Sequence, residues 1–397
     1  MKSKNWLSGS VLACGISLLG GTGLLAQPAP KKAPAITLVD AADAAEWQKW
    51  TSEAGWLLVT AAGPANPNID LRVQDLAKAV EATIQNGDVD ASRVYLVGRG
   101  DAAAVVWYTI SRVPDLWAAG AALGGSPKAA IDTGRVFASN FTNAPVLWVS
   151  EPAGEGVAQK LKAEGLDIEW RTAASSGTAS AVFQWLGQHK REEFPLSIDC
   201  ETNSPTFARC YWIRMTKFDP SERNDVLTST RLAGGNGAGL DLGGFGFKPD
   251  DPGPGVLVSY LPPKYSGPLK MGDRIVALDG REIAGARQYR DLMEKATEDR
   301  QAVATVQRGK DRIRIETHIL VPRRDPAITA RVEAQFLPDD REVQIVSRTV
   351  TEMRVTVPPG WAPAKLIWNG LTLENLKEPG CWLLSIQKEL LNAARCP

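Results

Sequence analysis

Near residue 196 the hydrophobic period of this chain changes, and one layered sheet cannot accommodate both halves. Before it, short apolar runs at 56–62 (WLLVTAA), 93–98 (RVYLVG), 118–125 (AAGAALGG), 144–150 (APVLWVS) and 166–172 (LDIEWRT) read as strands buried on both faces. Between them, Val73, Leu76, Ala77, Val80 and Ile84 recur at helical spacing, as do the apolar residues of GVAQKLKAEG and ASAVFQWLGQHKR. Strands alternating with helices predict a doubly wound α/β domain over residues 36–195.

Residues 196–239 read as a connector carrying Cys200, Cys210, Tyr211 and Trp212. Over 240–320 the pattern becomes short strands with Gly/Pro turns at DPGPG and LPPKYSGP and an Asp279-Gly280 hairpin, interrupted by one helix near 286–296. From 321 to 397 the runs ARVEAQF, EVQIVS, EMRVTVP and AKLIWNG alternate at period two, and Asn369-Gly370 marks a tight turn. A small antiparallel β domain is expected there, closed by CWLLSI and a short terminal helix.

The first residues place Lys2 and Lys4 before an apolar stretch lightened by Gly and Ser, with Ala26 after Leu24 and Leu25. This predicts a secretory signal over residues 1–26, cleaved near Ala26, rather than a retained anchor, which needs about 20 apolar residues. Cys14 follows Val11, Leu12 and Ala13, a poor match to a lipid-attachment box. A periplasmic or secreted location follows, with no stable membrane span once the signal is removed. Export leaves Cys200, Cys210, Cys381 and Cys396, whose spacing predicts two local disulfides, Cys200 to Cys210 and Cys381 to Cys396. The rival reading, a zinc site, fits neither the spacing nor the presence of only two His, so no metal or cofactor is expected. Lys plus Arg and Asp plus Glu balance at 45 each, without a basic run, which argues against nucleic acid as a partner.

The segment RVYLVGRGDAAAVVWYTI resembles the strand, sharp turn and helix that carry the nucleophile in α/β-hydrolases of the secreted esterase type. That family's turn reads Gly-x-Ser-x-Gly. Here Gly98 and Arg99 are in place, Gly100 stands where the Ser should be, and Ala102 replaces the second Gly. The family's acid should follow PVLWVS, where Glu151 and Glu155 occur but no Asp, and its His should lie in AASSGTAS, which has none. His189, at the end of the last helix, and His318, in a later strand, are expected to be structural. Asp101 is either a substitute nucleophile or base, or the cap of the following helix. Ser126, Ser175 and Ser176 are loop hydroxyls with no evident base. The resemblance therefore implies a hydrolase fold without its catalytic relay.

The stretch GVLVSYLPPKYSGPLKMGDRIVALDGREI, a helix, and VATVQRGKDRIRIETHI resemble bacterial-type PDZ domains, through Leu269, Gly272, Asp273, Ile275, Val276, Asp279 and Gly280. In this resemblance Gly244, Phe245, Gly246 and Phe247 form the loop that holds a peptide C-terminus, and the peptide adds as a strand between Phe247 and the 286–296 helix. Phe245 and Phe247 alternate, so one of the two is expected to face the ligand. Tyr289 and Met293, four apart on the helix, are either groove lining or core. The insertion KPDDPGPG is expected to reshape the groove.

Taken together, the chain is expected to be an exported protein that binds a peptide or protein C-terminus or extended segment, with an inactive hydrolase-like domain. Two alternatives stand beside it: a serine-type hydrolase with a non-standard active site, and a structural protein whose PDZ groove is occupied by its own chain. The 13 Trp suggest carbohydrate stacking only superficially, since Trp148, Trp170 and Trp185 fall in apolar runs, and Trp361 is the one expected to be exposed.

Overall fold

The computed structural model describes residues 32–397, apart from 174–178, 223, 225, 233–237, 249, 263, 297 and 322–328 and the side chain of residue 294. The signal segment with Cys14 and Ala26, and the loop serines Ser175 and Ser176, lie outside the described residues.

Strands β1 (Ala33–Leu38), β2 (Leu57–Thr60), β3 (Val89–Arg99), β4 (Ala119–Leu123), β5 (Val146–Ser150) and β6 (Ile168–Thr172) form one sheet in the order β2-β1-β3-β4-β5-β6. Every pair in it is parallel. Helices α1 (Ala44–Ala54), α2 (Ile69–Gln85), α3 (Ala102–Arg112), α4 (Lys128–Ile131), α5 (Glu155–Ala163) and α6 (Ala179–Leu186) cover both faces. One core packs residues of α2, α3 and α5 on the sheet, and the other packs Trp47 of α1 and Val182, Trp185 and Leu186 of α6 on the opposite face. Double coverage is why these strands read as unbroken apolar runs. Asn68 starts α2 by accepting from the Asp70 and Leu71 backbone N–H groups, a cap worth about 1 kcal/mol. Close approach of α3 to β4 depends on Gly120, where a Cβ would sit 2.4 Å from Ile110 Cδ1. A six-stranded parallel sheet wrapped by helices fits an α/β-hydrolase-like domain.

The expected connector is not a bare linker. It supplies β7 (Ser197–Thr202), β8 (Arg209–Cys210) and β9 (Ile213–Phe218). After it come β10 (Gly239–Leu240), β11 (Gly246–Phe247), β12 (Val256–Tyr260), β13 (Arg274–Leu278), β14 (Arg281–Glu282), α7 (Ala286–Glu294), β15 (Arg300–Arg308) and β16 (Asp311–Leu320). These form a sheet of order β10-β16-β15-β13-β12-β11, with β14 paired to β13, around a core that includes Val256, Ile275, Leu269, Tyr289 and Met293. Asp279 and Gly280 both take positive φ in the expected hairpin.

Beyond it lie β17 (Ala330–Leu337), β18 (Glu342–Arg348), β19 (Val350–Val357), β20 (Ala364–Trp368), β21 (Leu371–Leu376), β22 (Gly380–Gln387) and β23 (Leu390–Arg395). They make two five-stranded sheets, β21-β20-β18-β17-β7 and β23-β22-β19-β9-β8, that share one apolar core. Each sheet takes a strand from before residue 219, so the 239–320 unit is inserted within this two-sheet assembly. The pairing of β18 with β20 is parallel, against the expectation of a purely antiparallel unit.

Both expected disulfides are present. Cys200 on β7 and Cys210 on β8 tie one sheet to the other, and Cys381 on β22 holds Cys396 just past β23. The terminal helix is a correction: LLNAAR is β23, because Lys388 and Glu389, at φ 49° and 62°, turn the chain into a hairpin pairing Gln387 with Leu390. Trp361 is a second correction. It is 7 % exposed, its ring stacked on Phe336 at 4.3 Å and edge-on to Trp212 at 5.1 Å.

The insert's two approaches to the host meet at one side chain. Glu201, on β7 and fully buried, accepts from Ser229 Oγ (2.5 Å), Thr230 N (2.6 Å) and Thr230 Oγ1 (2.8 Å) on the way in. It also accepts from Thr329 Oγ1 on the way out, and Arg348 Nη2 lies 3.5 Å away. Asn140 of the parallel-sheet domain bonds the Glu201 backbone on both sides, at 2.7 and 2.9 Å.

Candidate functional site

In an open parallel sheet the ligand crevice lies beyond the carboxyl ends of the strands where their order reverses, here between β1 and β3. The turn Gly98 to Ala102 sits at that point. A Cβ on Gly98 would come within 2.4 Å of the Ala102 carbonyl, so strand and helix meet as closely as a sharp elbow requires. Gly100 has φ +60°, with its N–H bonded to Leu123 O at 2.8 Å and its own carbonyl accepting from Ala103 N at 3.0 Å. No atom lies within 4 Å of the place where its Cβ would be. The turn is thus as sharp as the resemblance implies, with a hydrogen where a side chain would project.

Among the described residues, the groups around this turn do not assemble a relay. Asp101 stands at the N-cap position of α3, but its side chain makes no cap hydrogen bond. That corrects the capping expectation: its helical φ of −62° and ψ of −30° differ from the extended backbone typical of a side-chain cap. Arg99 runs outward onto α1, bonded to Glu46 at 2.8 Å and lying over Trp50. At the end of β5, Ser150 Oγ accepts from Trp170 Nε1 at 2.9 Å, and Glu151 and Glu155 are exposed. Ser126 Oγ accepts from Lys128 N, as a turn former does. His189 lies just past α6, with Nδ1 2.9 Å from Trp185 O and its ring 4.1 Å from that of Trp185. His318 is exposed on β16, in a different sheet. Among the described residues, therefore, no hydroxyl, thiol or carboxylate at the elbow is paired with a base.

The second candidate is the β11 side of the insert. Among the described strands β11 pairs with β12 alone, so no described strand lies on its other backbone edge. It follows Gly243 and Gly244, at φ +81° and +71°, a conformation that turns the chain sharply and suits residues without a Cβ. Phe245 and Phe247 are half-buried and both pack on the insert core, with ring centroids 6.5 Å apart. The expectation that one of them turns to the ligand and the other away is corrected, because residues two apart in extended chain share a face. Phe247 meets Tyr289 of α7 edge-on at 5.6 Å, bridging strand and helix.

Tyr289 and Met293 are 5 % and 4 % exposed, which assigns them to the core beneath the strand. Burial pushes the Tyr289 phenol up to about 12. Asp273 holds its turn through Lys270 N at 2.7 Å and takes two bonds from Arg308, at 2.9 and 2.7 Å. Burial alone would raise this carboxyl, but those donors hold it below the usual range. The KPDDPGPG segment is tied down on the β13 side: Asp251 receives Arg274 at 2.6 and 3.0 Å, and Gly255 N bonds Ile283 O.

Sequence reasoning missed Tyr260. It pairs with Gly246 across a register shift between Gly246 and Phe247. The shift leaves no mark in the sequence. The same pairing explains Gly246, whose Cβ would lie 2.9 Å from Tyr260 Cβ.

No family model and no curated protein matches this chain. Among solved structures it is similar to a thermostable esterase, at 14% identity and TM-score 0.31 over 42% of this chain and 57% of that one. Esterase PE8 is similar at 16% identity and TM-score 0.30, over 40% and 92%, and SOBER1 of Arabidopsis thaliana at 15% identity and TM-score 0.32, over 40% and 99%. The chain spans little more than half of the first of these. TM-scores near 0.3 leave the fold to be read from the sheet itself.

Two disulfides fit an oxidising extracellular or periplasmic environment. No helix among the described residues is long and apolar enough to cross a membrane.

Proposed function

We propose that this chain is an exported polypeptide-binding protein whose inserted PDZ-like unit takes an extended segment or C-terminus as an added strand on β11, beside α7. The parallel-sheet domain serves as a hydrolase-like scaffold that performs no acyl transfer. The observation that supports this reading is that β11, one residue after the two positive-φ glycines, pairs on one side only among the described strands, which leaves room for an added strand and for a carboxylate at the glycine loop.

The test is enrichment of displayed random C-terminal heptapeptides on the purified protein, with Gly244→Val as the comparison. Gly244 has open space around its missing Cβ, so the variant strains the loop backbone without a clash, whereas a Gly246 variant would also collide with Tyr260. Sequence-selective enrichment lost in the Gly244 variant supports the reading, and equal enrichment in both sinks it. A fluorophosphonate probe should leave the protein unlabelled. Stoichiometric labelling would favour the serine-hydrolase alternative, for which the preserved elbow backbone is the supporting feature.

A further inference from the structure

Gly246 carries no side chain, and Tyr260 uses the space. The register shift sets Tyr260 opposite Gly246, and the position of a Cβ on Gly246 lies 2.9 Å from Tyr260 Cβ, 3.5 Å from Cδ1 and 3.6 Å from Cγ. The base of the phenol ring therefore covers Gly246 on the side its Cβ would take. Phe245 and Phe247 point to the other side, into the core with Tyr289. Tyr260 is nevertheless 56 % exposed, a large aromatic ring left in solvent at the end of β12.

A strand added to β11 would present its side chains alternately to these two faces. The residue directly opposite Gly246 would place its Cβ about 4.5–5.5 Å from the Gly246 position, on the bare face. With no side chain between them, its next neighbour on that face is the Tyr260 ring. Had any larger residue stood at 246, it would have separated the two.

We infer that Tyr260 is a specificity-determining residue, an aromatic platform selecting a large apolar or aromatic side chain at the ligand position opposite Gly246. This rests on the strand-addition reading of β11. The occupant is a polypeptide strand whose residues alternate between two apolar environments: one toward Phe247 and α7, the other over Gly246 and Tyr260. A ligand lacking a large side chain at the second would leave the ring wet and forfeit its burial.

The same heptapeptide library, panned against wild type, Tyr260→Ser and Tyr260→Phe, separates the outcomes. The ring, being exposed, contributes little to folding, and the Phe variant keeps the platform in any case. The expected result is a large-apolar preference at one position in wild type and Tyr260→Phe that disappears in Tyr260→Ser. For a selected peptide, the Ser variant should bind about three- to tenfold more weakly, the range an aromatic contact supplies. An unchanged preference in Tyr260→Ser overturns the platform while leaving strand addition standing. Absence of any enriched peptide with wild type overturns both.

Discussion

Replacing Glu201 by Ala tests whether the insert's two approaches are locked at one carboxylate. The side chain is fully buried and receives three hydroxyls, the Thr230 N–H and the Arg348 guanidinium. Serine and threonine hydroxyls can rotate to other acceptors, so their loss is cheap. The Thr230 N–H and the Arg348 charge cannot follow. Breaking a buried ion pair by removing one member costs about 3–5 kcal/mol. Arg348 is 15 % exposed and retains Leu227 O at 2.9 Å and Thr329 Oγ1 at 2.6 Å, which places this case at the lower end, about 3 kcal/mol. Glu201→Gln keeps one acceptor oxygen but turns an amide N–H toward donors, and should cost about 1–2 kcal/mol. Urea unfolding followed by Trp fluorescence reads these as shifts in midpoint at constant slope. Removing the stranded charge as well, in Glu201→Ala with Arg348→Met, should recover part of the loss, since the two sites share one network. A Glu201→Ala midpoint within the range expected of an ordinary surface substitution, about 0.5 kcal/mol, would refute the account of the junction.

Gly100, and Gly125 just past β4, which packs against it, should separate by geometry. Gly100→Ser costs only the positive φ, about 1–2 kcal/mol, because space is open, whereas Gly125→Ala adds a Cβ 2.2 Å from the Gly100 carbonyl and should cost clearly more in the same unfolding assay. Acid sensitivity should trace in part to Asp273: its folded value is depressed, so its stabilisation is complete above the unfolded value near ~3.9 and is lost as pH falls through the folded one. Asp273→Asn should therefore narrow the gap to wild type as pH drops toward ~3, read from urea midpoints at successive pH values.

What the sequence disclosed follows the strength of each local signal. The parallel strands were legible because burial on both faces demands unbroken apolar runs, as in VLWVS. Strand β1 was less visible, since AITL is short and follows a Pro/Lys-rich stretch. The turns at Asp279-Gly280 and Asn369-Gly370 were legible because their residues tolerate positive φ, whereas Lys388-Glu389 makes the same excursion with residues that do not advertise it. The strands at 197–218 could not be assigned a sheet from sequence, because β7 and β9 find their places through β17 and β19, more than a hundred residues away. At the sites, the glycine at position 100 of the turn was plain from the sequence. The Tyr260 to Gly246 pairing was not, since it depends on a one-residue slip in register.

The insert begins and ends side by side, with Gly239 paired to Leu320. A unit whose two ends adjoin can be gained, lost or exchanged without altering how the host strands are threaded, as with other inserted domains. The inserted unit can therefore diversify on an evolutionary timescale of its own, while the disulfide-tied sheets and the parallel-sheet domain remain under separate selection for folding.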